Sequence, residues 1–353
     1  MKVAVIPGDG VGKEVIAAGL EVLSAVTALE FQEFPWGSEY YQRTGTMMPA
    51  DGLQQLQPYD AIYLGAVGWP SVPDHLTLWG LLLPIRQAFD LYVNLRPVTL
   101  LPGIASPLAG RGPADIDMLF IRENSEGEYS GTGGRVHSGT PQEVAVEVPV
   151  FTRMGVERAA RYALERAMER KRKLISVTKS NASRYAYVMW DEIVEGLVAR
   201  EFPEVSLERM HVDAMAARMV LRPETVDVVL ASNLFGDILT DLGAALQGGL
   251  GLAASANLDP TRRHPSMFEP VHGSAPDIAG QGLANPLGAI LTAALMLFHL
   301  GLDEPARRIE HAVSRVTAKG EVRTRDLGGS SGTADMLRAI LAELDQPESL
   351  PAA

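Results

Sequence analysis

The sequence has no cysteine among its 353 residues. Without thiol groups the chain forms no disulfide, has no cysteine nucleophile and offers no thiolate to a metal ion. Thiol catalysis and metal–thiolate sites are therefore excluded. Any metal ion must be held by other ligands.

Long apolar runs and an excess of positive charge are also missing. The most apolar stretch, 287–300, is too short to cross a bilayer and contains His299. The strand-like run 2–6 is not preceded by the basic and apolar segments of a signal peptide. A formal net charge of −12 repels nucleic acid and anionic membranes. We therefore expect a soluble, cytoplasmic protein with no nucleic-acid or membrane partner, and a local cationic site for any anionic substrate.

Strand-like and helix-like runs alternate along the chain, which is typical of an α/β protein. A chain of this length is expected to form two domains. The predicted strands span 2–6, 59–65, 117–122, 144–152, 173–178 and 226–231. The predicted helices span 154–170, 185–200, 287–301, 304–318 and 331–344.

The glycine-rich segment 8–12 follows the first strand and precedes a helix, as in a dinucleotide-binding fingerprint. The third glycine of that fingerprint should stand at position 13, where the chain has Lys13. The spacing therefore predicts a tight strand-to-helix turn and no Rossmann fold.

Three arginines, Arg86, Arg96 and Arg122, stand near apolar strand-like segments. A guanidinium group binds a carboxylate through two parallel hydrogen bonds, so the trio suits a diacid. The alternative is three separate surface salt bridges. The apolar surroundings of Arg96 and Arg122 favour the binding role.

Two acidic residues, Asp237 and Asp241, are four positions apart. On a helix both carboxylates would project from one face, where they repel each other unless a cation lies between them. Hard oxygen ligands favour magnesium or manganese, with Asp213 as a possible third ligand. The alternative is acids that interact with a helix N-terminus.

Proton transfer and phosphate binding also have candidates. Lys179 follows a buried strand, where a lysine can act as a base, and Tyr129 can donate a proton. The turn 272–277 holds small residues that let a backbone approach a phosphate closely. Each has a non-catalytic alternative: Lys179 as a surface lysine, Tyr129 as a packed ring and the turn as a plain loop.

Together these segments resemble the β-decarboxylating dehydrogenase family, which includes isocitrate and 3-isopropylmalate dehydrogenases. The resemblance runs along nearly the whole chain, and its blocks are in the right order. The blocks are 6–12, 94–97, 122–127, 178–181, 231–241, 272–280 and 284–286.

The resemblance implies an isopropylmalate dehydrogenase-like, two-domain, three-layer αβα fold with a mixed sheet and no Rossmann fingerprint. One domain would be discontinuous, residues 1–91 plus 248–353, and would bind the dinucleotide. The other, 92–247, would carry the metal, the substrate and the dimerisation surface. It also implies a homodimer with shared active sites, in which Lys179 and Asp213 come from the partner.

The resemblance assigns a role to each matching residue. The substrate would contact Arg86, Arg96, Arg122, Trp79, Leu82 and Leu83. Asp213, Asp237 and Asp241 would hold Mg²⁺ or Mn²⁺, while Tyr129 and Lys179 would transfer protons. The cofactor would contact His272, Gly273, Ser274, Ala275, Pro276, Asp277, Ile278 and Asn285. NAD is expected because NADP-dependent relatives have Lys and Tyr at positions 277 and 278, and a carboxylate repels a 2′-phosphate.

The expected reaction is the NAD-dependent oxidative decarboxylation of a small 2-hydroxy diacid. Segment 78–86 has no side chain that would pair with a third carboxylate, and Trp79 stands where 3-isopropylmalate enzymes carry Glu. The segment 68–80 resembles the tartrate/D-malate branch, so D-malate is favoured, with tartrate next. The alternatives are 3-isopropylmalate dehydrogenase, a non-catalytic small-acid binder and a phosphoryl-transfer enzyme; no Walker motif supports the last.

Overall fold

The structure, a computed structural model, describes residues 1–346. It contains twelve strands within that range. They are β1 (Lys2–Ile6), β2 (Glu30–Glu33), β3 (Ala61–Leu64), β4 (Val93–Thr99), β5 (Asp117–Glu123), β6 (Gly133–Val136), β7 (Val144–Glu147), β8 (Lys173–Thr178), β9 (Ser206–His211), β10 (Val228–Ala231), β11 (Ala256–Leu258) and β12 (Ser266–Phe268).

The same range contains twelve α-helices. They are α1 (Gly12–Val26), α2 (Ser38–Thr44), α3 (Gly52–Leu56), α4 (Asp74–Thr77), α5 (Leu83–Ala88), α6 (Arg153–Glu169), α7 (Ala186–Glu201), α8 (Val212–Leu221), α9 (Asn233–Leu246), α10 (Leu287–His299), α11 (Asp303–Lys319) and α12 (Thr333–Leu344). One π-helical turn (Leu78–Leu82) joins α4 to α5, and short 3₁₀ turns cover Glu128–Ser130, Pro223–Thr225, Leu250–Leu252 and Arg325–Leu327. None of the described helices is both long and apolar enough to cross a membrane.

Ten of these strands form one mixed sheet in the order β2-β1-β3-β12-β11-β4-β5-β10-β8-β9. The strands β2, β1, β3 and β12 are mutually parallel, as are β5, β10, β8 and β9. The two parallel blocks are joined through antiparallel pairs of β12, β11, β4 and β5. The predicted α/β class and mixed sheet are confirmed.

Helices cover both faces of the sheet. Successive side chains along a strand point to opposite faces, and where both sets are apolar, both faces must be buried. Val3 and Val5 of β1 belong to a large core that also includes residues of α1, α6, α7 and α10–α12. Ala4 and Ile6 belong to a separate cluster with residues of α5. On the other half of the sheet, the second face packs against α8 and α9. The result is three layers, as expected.

The second face has a gap between its two apolar clusters. One cluster is drawn from residues 4–91 plus Met267, and the other from residues 98–246. Between them, the same face of the central strands carries buried polar side chains instead of apolar ones. They are Asn94, Arg96, Arg122 and Asn257. This polar strip is the floor of a cleft, and it positions the site described below.

The glycine-rich segment after β1 forms the predicted tight turn. Gly10 has a φ of +55°, and a Cβ there would lie 2.0 Å from the Ser274 carbonyl oxygen. The amide of Val11 donates to that same oxygen at 2.9 Å. Only glycine permits so close an approach. The turn therefore fixes the loop that begins at His272 against the start of α1.

The strand predictions need correction, and they omit β2, β6, β9, β11 and β12 as well as β4. The predicted strand 144–152 ends at Glu147. It forms a hairpin with β6, in which the apolar side chains Val144 and Val146 are exposed. The strand β4 is missing from the sequence prediction because Arg96 and Pro97 interrupt its apolar run. In the sheet Pro97 lies opposite Leu119 in the antiparallel β4–β5 pair.

Candidate active site

A cavity of about 200 Å³ lies over the polar strip. Its walls come from the loop after β3, from the segment that leads into α5, from the middle of β4, from the end of β5 and the turn after it, from α9 and from the loop after β12. Among its lining residues are Leu78, Leu82, Leu83, Arg86, Arg96, Arg122, Tyr129, Asp237, Glu269, His272 and Gly273. The fold therefore brings together the three predicted arginines, which are far apart in sequence.

Each of the three arginines is buried, with 6%, 7% and 2% of the residue exposed for Arg86, Arg96 and Arg122. A buried guanidinium needs hydrogen-bond acceptors, and each of the three has at least one, although the Nε atoms of Arg86 and Arg96 have none in the described chain. Arg86 Nη2 donates to Glu269 at 2.7 Å, and Arg96 Nη1 donates to the Thr240 hydroxyl at 2.7 Å.

Arg122 is held at two of its nitrogens by one amide. Its Nε and Nη2 donate to the Asn233 side-chain oxygen at 2.9 and 2.7 Å. Burial, aided by the nearby Arg96, lowers the pKa of Arg122 to about 10. Burial likewise lowers the pKa of Arg96, against the attraction of Asp237. Three cations crowded into one small cavity repel one another, so an anion placed there is attracted.

The predicted acid pair lies on one face of α9, one helical turn apart. Asp237 forms ion pairs with Arg122 and, at 3.6 Å, with Arg96; Asp241 lies 3.8 Å from Arg96. Burial acts to raise the pKa of Asp237, but Arg122 and Arg96 outweigh it and hold that pKa below its usual value. Burial raises the pKa of Asp241, which Arg96 only partly offsets.

These two carboxylates suit a hard divalent cation. Their side chains are 37% and 61% exposed, so a ligand can reach their oxygens, and Asp237 lines the cavity whereas Asp241 does not. Carboxylate oxygens are the ligands that Mg²⁺ and Mn²⁺ prefer. One chain nevertheless provides only two of the three predicted ligands at this point.

The third predicted ligand lies elsewhere in the chain. Asp213, at the start of α8, accepts a hydrogen bond from Lys179 Nζ at 2.9 Å, and both side chains are solvent-accessible. Neither residue lines the cavity. Within residues 1–346 no group of three acidic, histidine or cysteine side chains is arranged to hold a metal ion. The structure therefore brings Lys179 and Asp213 to each other but not to Asp237 and Asp241.

Tyr129 stands at the cavity wall, as a proton donor would. Its hydroxyl donates to Asp237 Oδ2 at 3.1 Å, and its ring lies 5.4 Å from the Arg122 guanidinium carbon. Burial, together with the negative charge of Asp237, raises the pKa of Tyr129.

A second cavity, of about 420 Å³, adjoins the first and shares His272 and Gly273 with it. Of the other predicted cofactor residues, Ala275, Ile278 and Asn285 line it, whereas Ser274, Pro276 and Asp277 do not. His272 Nε2 is buried here without a hydrogen-bond partner in the described chain. An apolar cavity with exposed backbone and an unused polar atom fits a dinucleotide beside the smaller cavity.

Several residues at the two cavities were missed by the sequence reasoning. Glu269, Asn233 and Thr240 hold the arginines, and Leu78 joins Leu82 and Leu83 in the apolar wall. Trp79 does not line the first cavity; it is 45% exposed and its indole packs over Gly131. Their closeness in sequence to predicted site residues could have indicated them. Asn233 and Thr240 lie inside the block 231–241, and Glu269 lies three residues before His272.

We predict that Gly236→Ala disturbs Arg122. A Cβ at Gly236 would lie 2.6 Å from Arg122 Cγ, and Arg122 is too tightly enclosed to move freely. Helix propensity alone would favour alanine by about 1 kcal/mol, so a lower melting temperature would reveal the clash. Thermal unfolding followed by circular dichroism measures it. Gly196→Ala on α7 is the matched control, because its Cβ meets only the flexible end of Arg200. Equal stability of the two variants would contradict the prediction.

Comparison with known proteins finds relatives along nearly the whole chain. The model of the isocitrate/isopropylmalate dehydrogenase family matches residues 2–340. A probable tartrate dehydrogenase/decarboxylase of Agrobacterium vitis is 56% identical over 346 residues, which cover 96% of each chain. The D-malate dehydrogenase (decarboxylating) of Escherichia coli K12 is 51% identical over 353 residues, covering 96% of this chain and 97% of that one.

The three-dimensional likeness is equally extensive. The crystal structure of isocitrate dehydrogenase from Methylococcus capsulatus superimposes with a TM-score of 0.89 at 35% sequence identity, covering 98% of this chain and 99% of the other. The chain therefore belongs to the isocitrate/isopropylmalate dehydrogenase family of oxidoreductases.

Proposed function

We propose that this protein oxidises and decarboxylates a small 2-hydroxy diacid, D-malate in the first place and tartrate in the second. The observation that carries the proposal is the convergence of Arg86, Arg96 and Arg122 on one small cavity beside the acids of α9. The relatives named as tartrate and D-malate decarboxylating dehydrogenases support it.

The arginines would bind both carboxylates of the diacid. Each guanidinium is already oriented by an acceptor on its inner side, so its remaining N–H groups are free to point at a ligand without reorganisation. Arg122 and Arg96 also face the acids of α9. The substrate would thereby be held with its C2 hydroxyl close to those acids.

Family membership indicates a pyridine nucleotide and a divalent metal ion as cofactors. We propose NAD and Mg²⁺ or Mn²⁺. Asp237, Asp241 and Asp213 of the partner subunit would hold the metal ion, which when bound draws electrons toward the C2 oxygen during decarboxylation. The second cavity would hold the dinucleotide, which when bound accepts the hydride from C2.

The chain's own groups would move the protons. Lys179 of the partner subunit would accept the proton of the C2 hydroxyl as C2 is oxidised to a ketone. The bond to the β-carboxylate then breaks, CO₂ leaves, and its electron pair stays on the β carbon as an enolate. Tyr129, in the wall of the cavity, would supply the proton that converts this enolate to the 2-keto acid. For D-malate the product is pyruvate.

A homodimer would complete the site, because one chain leaves Lys179 and Asp213 outside the cavity. Apolar side chains on the β6–β7 hairpin are exposed, with Val136 57% and Val146 50% accessible. Leu221 on α8 and Ile238 on α9 are 69% and 58% exposed on the same half of the molecule as the acids. Several large apolar side chains exposed in this way are typical of an interface between subunits.

The choice of NAD can be tested at the loop that follows His272. We expect Asp277→Lys with Ile278→Tyr to raise kcat/KM for NADP and lower it for NAD, because the lysine attracts the 2′-phosphate that Asp277 repels. Initial rates with both dinucleotides measure the shift, which should exceed about tenfold in the ratio of kcat/KM values. Asp303→Asn, a change in charge remote from both cavities, is the control. An unchanged ratio would contradict the assignment.

The substrate assignment can be tested with a panel assay. NADH formation is followed with D-malate, tartrate, 3-isopropylmalate and isocitrate, each with Mn²⁺, and kcat/KM values are compared. The apolar wall of Leu78, Leu82 and Leu83 offers nothing to a second hydroxyl or a third carboxylate, so D-malate should give the highest value. The same wall favours some activity on alkylmalates. A preference for 3-isopropylmalate would place the enzyme in the alternative branch.

We also propose the domain division 1–91 plus 248–353 and 92–247. The two apolar clusters of the second face support it, since each draws its residues from only one of these units. The cleft between the clusters then lies at the domain boundary. The cytoplasmic location stays a prediction from the sequence.

A further inference from the structure

A chain of buried side-chain hydrogen bonds leads to Arg86 from the centre of the sheet. Asn94 and Asn124 each donate through Nδ2 to Asn257 Oδ1, at 3.1 and 3.0 Å. Asn257 Nδ2 donates to Glu269 Oε1 at 2.9 Å, and Arg86 Nη2 donates to the same oxygen at 2.7 Å. Asn94 and Asn257 are fully buried, and Asn124 nearly so.

The strand register places these side chains on one face of the sheet. Asn257 of β11 lies opposite Asn94 of β4, and Asn94 lies opposite Arg122 of β5. Residues directly opposite each other in antiparallel strands point to the same side. Glu269 is two residues after Met267, the cross-strand partner of Asn257, so it is on that side as well. The amides therefore line the floor of the cleft that holds the arginines.

Glu269 and the nearby backbone carbonyls of Ala256 and Leu91 together fix the direction of every hydrogen bond in the chain. A carboxylate only accepts, so Asn257 must turn its amide nitrogen toward Glu269 and its oxygen toward Asn94 and Asn124. Those two residues must then present their nitrogens. Their side-chain oxygens are left buried without partners in the described chain, but the reverse orientation would turn them toward the backbone carbonyls of Ala256 and Leu91, which only accept. The arrangement thus leaves the side-chain oxygens of Asn94 and Asn124 unpaired, while Asn257 donates a hydrogen bond to Glu269.

Glu269 is the partner that the structure gives Arg86 within residues 1–346. The Nε atom of Arg86 is buried without an acceptor. The ion pair between Arg86 and Glu269 is almost wholly enclosed, with 7% of the arginine and 13% of the glutamate side chain exposed. A carboxylate that lost its second donor would rotate or attract water, and Arg86 would follow it. The orientation of Arg86 therefore depends on Asn257.

We infer that Asn257 is a positioning residue, which orients Glu269 and through it sets Arg86 for the substrate carboxylate. The inference rests on the proposed function for the identity of the ligand that Arg86 binds. Asn257 itself lies beneath the cavity and is not among its lining residues. Asn257 lies in a short buried strand, and no pattern in the sequence indicates that it has a role at the site.

Asn257→Asp tests this role with a change of a single atom. The new carboxylate still accepts from Asn94 and Asn124 but turns its second oxygen toward Glu269, where like charges repel. We expect KM for D-malate at pH 8 to rise by on the order of tenfold or more, with a much smaller change in kcat and in KM for NAD. Isothermal titration of the protein with D-malate gives the same comparison without turnover.

The pH dependence of the variant separates positioning from damage. Burial and the neighbouring Glu269 raise the pKa of the introduced Asp, while Arg86, Arg96 and Arg122 oppose this, and Asp237 faces the same cavity. Once protonated, the carboxyl can donate to Glu269 as the amide does. KM for D-malate should therefore return toward the wild-type value as the pH is lowered from about 8 to about 6. Asn257→Ala, which removes the donor without adding charge, should raise KM without this return.

Gln247→Glu is the matched control. Gln247 is also a buried amide, 3% exposed, and its oxygen accepts from the Thr99 amide at 2.9 Å, which a carboxylate can also do. It has no contact with Glu269, so KM for D-malate should stay near wild type. An unchanged KM in folded Asn257→Asp, or equal effects in both variants, would overturn the role of Asn257. Absence of D-malate binding and turnover in the wild-type protein would instead overturn the proposed function, and this role with it.

Discussion

Asp241→Asn is expected to abolish nearly all turnover while the protein remains folded. Asp241 is one of two carboxylates of α9 that one chain offers to a metal ion beside Arg96, and its side chain is 61% exposed. An amide is a much weaker ligand for Mg²⁺ or Mn²⁺ than a carboxylate. Because the ion supplies several kcal/mol of charge stabilisation, kcat should fall by roughly two to four orders of magnitude at ordinary Mn²⁺ concentrations.

A second readout, independent of activity, tests the same residue. Mn²⁺ should raise the melting temperature of the wild-type protein, because a ligand that binds only the folded state stabilises it. The increase should be lost in Asp241→Asn. Asp303→Asn is the control, since its carboxylate is similarly exposed, at 55%, but lies on α11 away from the cavity. Near-normal turnover of Asp241→Asn at saturating Mn²⁺ would refute the ligand role.

Lys179→Met is expected to have an effect of the same size for a different reason. A positioned general base contributes roughly 10²- to 10⁴-fold to a rate, and methionine keeps most of the volume without the amine. In one chain the Lys179 amine donates to Asp213 and lies outside the cavity, so this loss requires that the amine enters the site of a second copy. Lys173→Met, at the exposed start of the same strand, is the control. Activity near wild type in Lys179→Met would exclude it as the base.

Mixing the two inactive variants decides whether the site is shared. Suppose that each site takes Asp241 from one subunit and Lys179 from the other. A mixed dimer of Asp241→Asn and Lys179→Met then contains one site with both defects and one with neither. Co-expression should restore roughly a quarter of the wild-type activity if subunits pair at random. If the mixture stays as inactive as its components, each chain builds its own site or the dimer is absent.

The parts of the site that the sequence predicted are those whose side chains are charged and stand in an unusual sequence context. Three arginines in apolar surroundings and two acids four residues apart are unusual in a protein. The structure brings the arginines and Asp237 to one cavity, with Asp241 within 3.8 Å of Arg96. The residues that orient them, Glu269 and Asn257, carry no such signal. An amide in a three-residue strand is unremarkable until its partners are known, because hydrogen bonds between distant segments follow from sheet register and not from spacing.

The fold shows the same division. Helices such as α6 were predicted to within a residue because apolar positions repeat every three to four residues, and Thr152 caps the first turn by accepting from the Gly155 amide. The strand β4 was missed because it carries its polar side chains toward the cleft floor. The same functional requirement that places Arg96 there breaks the apolar pattern that would reveal a strand.

By itself the sequence determined the α/β class, the main helices, the absence of thiol chemistry and the kind of ligand that the polar side chains can bind. These follow from local periodicity and from side-chain chemistry, which need no partner. Only the tertiary structure decided that the central strands turn amides and guanidinium groups to one face, that Glu269 holds Arg86, and that Lys179 and Asp213 lie apart from Asp237 and Asp241 in one chain. Those facts depend on which distant segments become neighbours, and this is set by the packing of the whole chain.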